Sequence, residues 1–178
     1  VYQVGDFILY GSTGVCRVTD IVTRDLAGVG KKQLYYVLNP LYQNCVISTP
    51  VNATKVFTRP IITKDEAERL IDTIPTIRAE AYHSRIAGQL SEHYEASLKT
   101  HDCADLIELT MSIYAKKKFA EQQKRKFGSI DERFMKCAEE LLYGELAAAL
   151  AISKDKVPEY IAERVNGKQR ENINEFNE

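Results

Sequence analysis

At 178 residues with 44% hydrophobic side chains, the chain is long enough for one generous domain or two small ones, and too apolar for a disordered segment. No apolar run reaches the length of a membrane-spanning helix and the opening residues lack a secretory pattern, so a cytoplasmic protein without membrane contact is expected. The net charge of −1 conceals segregation: residues 1–60 carry +3, 61–113 carry −5, 114–128 carry +5 and 129–178 carry −4.

The chain opens on Val1, which implies a removed initiator residue or a shortened chain. Cys16, Cys45, Cys103 and Cys137 lie 29, 58 and 34 residues apart, without a CxxC or Cys/His ligand spacing. They read as reduced, half-buried thiols, and neither a metal nor a cofactor is expected.

The first sixty residues are punctuated for strands. "VGDFILY" places Phe7 to Tyr10 on a pleated surface, and "GSTG" supplies turn residues. "VCRVTDIVT" is a second strand, "LAGVGKK" a hairpin tip, "QLYYVLNP" a third strand and "NCVISTP" a fourth, with "KVFT" a possible short fifth. Short strands this closely spaced predict a small antiparallel barrel or curled sheet.

The period changes after residue 60. Thr63 and Glu66 form a T-x-x-E capping box, followed by Ala67, Leu70, Ile71 and Ile74 at helical spacing and then by Pro75. A second helix is expected from Arg78 to Leu98, and a third from Asp102 to near Gly128. A fourth opens on a Ser129–Glu132 capping box and runs to about Ile152, and a short fifth ends at Asn166 and Gly167. The reading is an α+β chain with segregated domains: a β module over 1–60, an all-α five-helix module over 61–167, and a polar, disordered tail over 168–178.

No reaction centre emerges. "AGVGKKQ" fails as a phosphate loop because Asp25 and Lys32 stand where a glycine and a hydroxyl are required. His83, His93 and His101 lack companions at ligand spacing. In "HDC", a helix cap followed by a buried thiol is a simpler reading than a Cys103 nucleophile. The protein is not expected to be an enzyme.

Two stripes point instead to binding. "YAKKKFAEQQKRKFG" holds Lys116, Lys117, Lys118, Lys124, Arg125 and Lys126 against Glu121 alone. On a continuous helix Lys117 and Lys124 lie within about 20° of each other, as do Lys118 and Arg125. Lys116 and Lys126 then flank one outward cationic row, opposite an apolar arc of Leu106, Leu109, Ile113, Ala120 and Phe127. Such a row fits phosphates, and the competing reading is a solvated helix end whose lysines oppose the helix dipole. In the helix expected from Arg78, Arg78, Tyr82, Arg85 and Gln89 recur on one face, beside a core arc of Ala79, Ile86, Leu90 and Tyr94. Guanidiniums around an aromatic ring suit a groove or an unpaired base, whereas the plainer reading packs Tyr82 at the core margin and pairs the arginines with Glu80 or Glu92.

The order of parts resembles the CarD family over roughly residues 2 to 165. "VGDFILYGSTGVCRVTDI" is similar to its V-G-D-x-V-x-Y-x-x-x-G opening and the V-x-x-I that follows, "LYYVL" to its next strand, and "ELLYGELAAALAIS" to its G-E-L-A-x-A-L helix. The opening is shared with transcription-repair coupling factors and is loosely like KOW modules. The resemblance implies a Tudor-like (SH3-like) amino-terminal barrel that grips the β subunit of bacterial RNA polymerase. It also implies a helical module that touches promoter DNA at the upstream edge of the transcription bubble. Such a protein has no small-molecule substrate, associates with the nucleoid through the polymerase, and changes how long an opened promoter persists.

On that footing Arg24 matches a polymerase-facing arginine, Ser48 stands where a second arginine is usual, and Tyr35, Ile47 and Thr49 line the same surface. The family commonly inserts a tryptophan beside the bubble. This chain has none, and "AYHSR" nominates Tyr82, next to His83, as a weaker wedge. The alternative is a protein–protein adaptor with a KOW- or Tudor-like module and a helical partner-binding domain.

Overall fold

Residues 1–175 are described by a computed structural model, in which the change of period near residue 60 separates two units, Val1–Ile62 and a second that begins at Thr63.

The first unit holds five strands: β1 (Phe7–Tyr10), β2 (Gly14–Asp25), β3 (Lys32–Pro40), β4 (Ile47–Pro50) and β5 (Thr58–Pro60). They form one antiparallel sheet in the order β4-β3-β2-β1-β5. Both β4 and β5 are therefore edges, and the expected barrel is an open sheet, because no ladder joins the two ends. The tip between β2 and β3 is closed by the Leu26 amide donating to the Lys31 carbonyl at 2.9 Å, where "LAGVGKK" predicts it. β5 begins at Thr58 rather than at Lys55. The chain before it is held by the Gly11 amide, which donates to the Phe57 carbonyl at 2.8 Å.

Alternation sorts the sheet's two faces. Ile8, Cys16, Val18, Tyr36 and Leu38 are buried together, with Tyr2, Tyr10, Ile21, Ile47 and Val51 packed against them. A register shift between Val18 and Asp20 bulges β2, so Asp20, Val22 and Arg24 follow one another on the opposite face.

The second unit has the five helices expected: α1 (Lys64–Thr73), α2 (Ala87–Leu98), α3 (Cys103–Gln122), α4 (Ser129–Leu150) and α5 (Val157–Glu175). Tyr94, Leu106, Ile113, Phe134, Leu142, Leu146 and Val157 are among its buried residues. The first capping box is present: the Glu66 amide donates to Thr63 Oγ1 at 3.2 Å and the Thr63 amide to Glu66 Oε2 at 2.7 Å. An α+β chain with its two classes of structure segregated is thus what the molecule adopts.

Four boundaries differ from expectation, each for a local reason. α2 starts at Ala87 instead of Arg78, because the Ile86 amide turns back onto Ser84 Oγ at 3.2 Å, a side-chain bond that competes with the helix. α3 ends at Gln122. Lys124 takes a left-handed φ of 51°, and the Arg125 amide donates to the Ala120 carbonyl at 2.8 Å, the closing bond of a Schellman motif. α4 is capped by Gly128 without a side-chain bond, so the Ser129–Glu132 box does not form and Ser129 is already helical. α5 continues to Glu175, so residues 168–175 of the expected tail are helical; positions 176–178 of that tail lie outside the described residues.

The early part of α5 is fastened to α1 by polar contacts. Arg164 and Lys168 meet Asp72, and the Tyr160 hydroxyl donates to Glu68 Oε1 at 3.1 Å.

Candidate functional site

The register of β2, β3 and β4 decides which side chains of the first unit share a surface. Val22, Tyr35 and Pro50 stand in one row, Asp20, Val37 and Ser48 in the next, and Arg24 lies opposite Gln33. All face away from the Tyr36–Leu38 core. The Arg24 guanidinium sits 5.4 Å from the centre of the Tyr35 ring, a cation–π contact that holds both side chains on the outer face.

Of the five residues expected at the polymerase-facing surface, Arg24, Tyr35 and Ser48 therefore come together. Ile47 and Thr49 do not: they oppose Leu38 and Tyr36 on the core side, and Thr49 is only 9% exposed. A one-residue offset within a strand reverses the face, and the sequence of β4 alone lacks the alternation that would reveal it.

The β4 edge is also defined. The Val51 amide donates to the Leu34 carbonyl at 3.0 Å, so by two-residue alternation the inward groups are those of Thr49 and Ile47. The Ser48 N–H and C=O and the Pro50 C=O point to the open side.

In the second unit the cationic stretch separates into parts. Lys116 is turned inward: its Nζ lies 2.9 Å from Asp131 Oδ1, with both side chains largely buried. The Tyr94 hydroxyl donates to the same oxygen at 2.6 Å, and burial together with that carboxylate pushes the tyrosine pKa far above its usual value. Lys117 is half-buried, 5.9 Å from the Phe127 ring, and faces Glu139. Lys118 extends over the Tyr114 ring at 5.3 Å. Lys124, Arg125 and Lys126 are exposed in the turn after α3.

Because the helix stops at Gln122, the straight row of Lys117, Lys118, Lys124 and Arg125 does not exist; the cations bracket a turn instead. Among the described residues, Lys118, Lys124, Arg125 and Lys126 form no ion pair. Sequence reasoning passed over Tyr114 and Phe119, which are 49% and 48% exposed between these cations. The interleaving in "YAKKKF" was the available signal.

The second stripe is likewise redistributed. Arg78, Tyr82, His83 and Arg85 lie in the extended segment before α2, and Gln89 lies in its first turn. Tyr82 stacks flat on His93, with centroids 3.6 Å apart and planes at 10°, so it packs at the core margin. His83 meets Phe119 edge-on at 5.9 Å. Arg78 and Arg85 are exposed and, among the described residues, form no ion pair with Glu80 or Glu92. The segment is strapped to α3 by Ser112 Oγ, which donates to the Glu80 carbonyl at 2.6 Å, above a groove of about 500 Å³ walled by Tyr82, His93, Asp105 and Glu108.

Two of the four thiols are buried. Asp102 caps α3 by accepting from the Ala104 amide at 2.7 Å, and the buried Cys103 sulfur lies 3.0 Å from Glu145 Oε2. Burial, reinforced by nearby Cys45, pushes the Cys16 thiol up to about 11. The half-buried expectation resolves into two buried thiols, Cys16 and Cys103, and two exposed, Cys45 and Cys137; among the described residues none is in a disulfide. Among the described residues no His/Cys/Asp/Glu group is placed to hold a metal, and no helix is long and apolar enough to cross a membrane.

An open five-stranded module with an outward Arg–Tyr pair beside an edge strand, followed by a separate helical unit, is the two-part architecture the chain adopts. Residues 2–62 match the model of the CarD-like/TRCF RID domain, a class that interacts with RNA polymerase. The front unit is thus a CarD-like/TRCF RID domain.

Proposed function

We propose that the chain is a transcription regulator that holds the β subunit of bacterial RNA polymerase through its front unit and promoter DNA through its helical unit. The family match over residues 2–62 carries this reading. The Arg24–Tyr35 pair and the open β4 edge supply a means: side chains give specificity, and a partner strand adds backbone bonds at Ser48 and Pro50.

DNA contact is supported by Lys117, Lys118, Lys124, Arg125 and Lys126 around the α3–α4 turn, with Arg78, Arg85 and Gln89 exposed on the same unit. Tyr82, already stacked on His93, and His83, set against Phe119, contribute as parts of a preformed aromatic surface rather than as a free wedge. Phosphate contacts of this kind position a protein without reading sequence. Attachment to the polymerase then selects the promoter's upstream edge, and no chemical step is required. A preference of about 1.4 kcal/mol for the opened complex shifts its population tenfold.

Footprinting an open promoter complex tests the reading: added protein should protect the upstream bubble edge and lengthen or shorten the lifetime of the complex. An unchanged footprint and lifetime would defeat it. The adaptor alternative draws on the groove beneath residues 78–82, whose carboxylates Glu80, Asp105 and Glu108 repel a phosphate backbone. A mobility shift at low and moderate salt separates the two.

A further inference from the structure

The α3–α4 turn is clasped from beneath. Lys116 on α3 and Asp131 on α4 stand fifteen residues apart in sequence and meet at 2.9 Å, with side-chain exposures of 14% and 6%. Tyr94 on α2 donates to the same Asp131 oxygen at 2.6 Å, so one carboxylate fastens three helices. The other oxygen, Oδ2, lies 2.7 Å from where a Cβ on Gly128 would stand. A side chain at Gly128 would press on this carboxylate and displace it from its place under the turn. Between the two clasp residues lie the five remaining cations of the stretch, Lys117, Lys118, Lys124, Arg125 and Lys126.

We infer that Asp131 is a positioning residue for nucleic-acid binding: it takes Lys116 out of the cationic set and fixes the spacing between the helix-borne and turn-borne cations. The inference rests on the nucleic-acid reading given above. It assigns two roles to one basic run. Lys116 is an internal counter-ion with no phosphate to meet, and its five neighbours are held apart at a set separation before any ligand arrives. Gly128 is the third part of the device, because a side chain there would crowd the carboxylate that the clasp holds.

Forked duplex DNA bound by the full chain over a salt series, together with amide exchange across residues 123–128, tests this. Lys116→Met should leave the salt slope unchanged, whereas loss of a phosphate contact would lower it by about one. Gly128→Ala removes no charge, yet should speed exchange at the Arg125 amide about tenfold and weaken DNA binding severalfold below its melting temperature. Tyr94→Phe, which keeps the ring and deletes one bond to Asp131, should do the same to a smaller degree.

A lower slope for Lys116→Met, or wild-type affinity in both other variants, would overturn the positioning role. Failure of the wild-type chain to bind DNA at all would instead remove the nucleic-acid reading; slow exchange retained in Gly128→Ala would then remove the clasp as well.

Discussion

Arg164 and Asp72, 92 residues apart in sequence, meet in a two-point pair: Nε to Oδ1 at 2.7 Å and Nη2 to Oδ2 at 3.0 Å. Lys168 approaches the same carboxylate at 2.6 Å. The bond from Arg164, with help from Lys168, holds the Asp72 pKa below its ordinary value.

A carboxylate whose pKa is depressed by folding stabilises the folded state above its unfolded pKa, near 4. That stability is lost as pH falls through the lower folded value. Asp72→Asn should therefore cost about 1 kcal/mol at neutral pH, as fits a partly exposed pair. The difference from wild type should shrink as the pH falls below about 4. Thermal melting across that range measures it.

Lys124 occupies a left-handed position that glycine fills with less strain. Lys124→Gly should raise stability by about 1 kcal/mol, read from a denaturant midpoint. The same change should weaken DNA binding and lower its salt slope by about one. Stability and affinity moving together in the same direction would contradict the role given to this side chain.

Neutralising Lys117, Lys118, Lys124 and Arg125 together should weaken DNA binding at every sequence and flatten its salt dependence. Each lost phosphate contact removes about 0.9 from the slope on duplex DNA. Filter binding between low and moderate salt provides the comparison.

Arg24→Glu should abolish capture of the polymerase β subunit and leave DNA affinity unchanged, because the outer sheet face and the cationic turn belong to separate units. Ser48→Pro deletes the amide at the open edge while sparing the internal ladder. It should reduce β-subunit capture with little change in melting temperature. Wild-type capture by both variants would place the interface elsewhere.

Much of this was legible in the sequence. Strand and helix periods gave the order of elements and the break near residue 60, and Thr63 with Glu66 marked the start of α1. The failures cluster where tertiary contacts overrule local pattern. The spacing of Arg78, Tyr82, Arg85 and Gln89 is helical, but Ser84 turns the chain and Tyr82 stacks on His93, a partner no window of sequence reveals. "KKKFAEQQKRK" reads as one helical row because nothing in it looks like a stop. Lys124, adopting a glycine's conformation, is that stop. Lys116 looks like its neighbours until Asp131 is found beneath it. Short antiparallel strands predict a barrel as readily as an open sheet because they carry no signal for closure.

The open ladder has one more effect. Pro60 points outward on β5 as Pro50 does on β4: the Ile61 amide donates inward to the Phe7 carbonyl, leaving the preceding residue on the open side. Each margin of the sheet therefore lacks a donor two residues from Ser48 or Thr58, which disfavours edge-to-edge pairing between copies of the module. A guest strand at β4 gains the backbone groups of Ser48 and the Pro50 carbonyl but meets no donor at Pro50, so matching side chains must complete a stable pairing there.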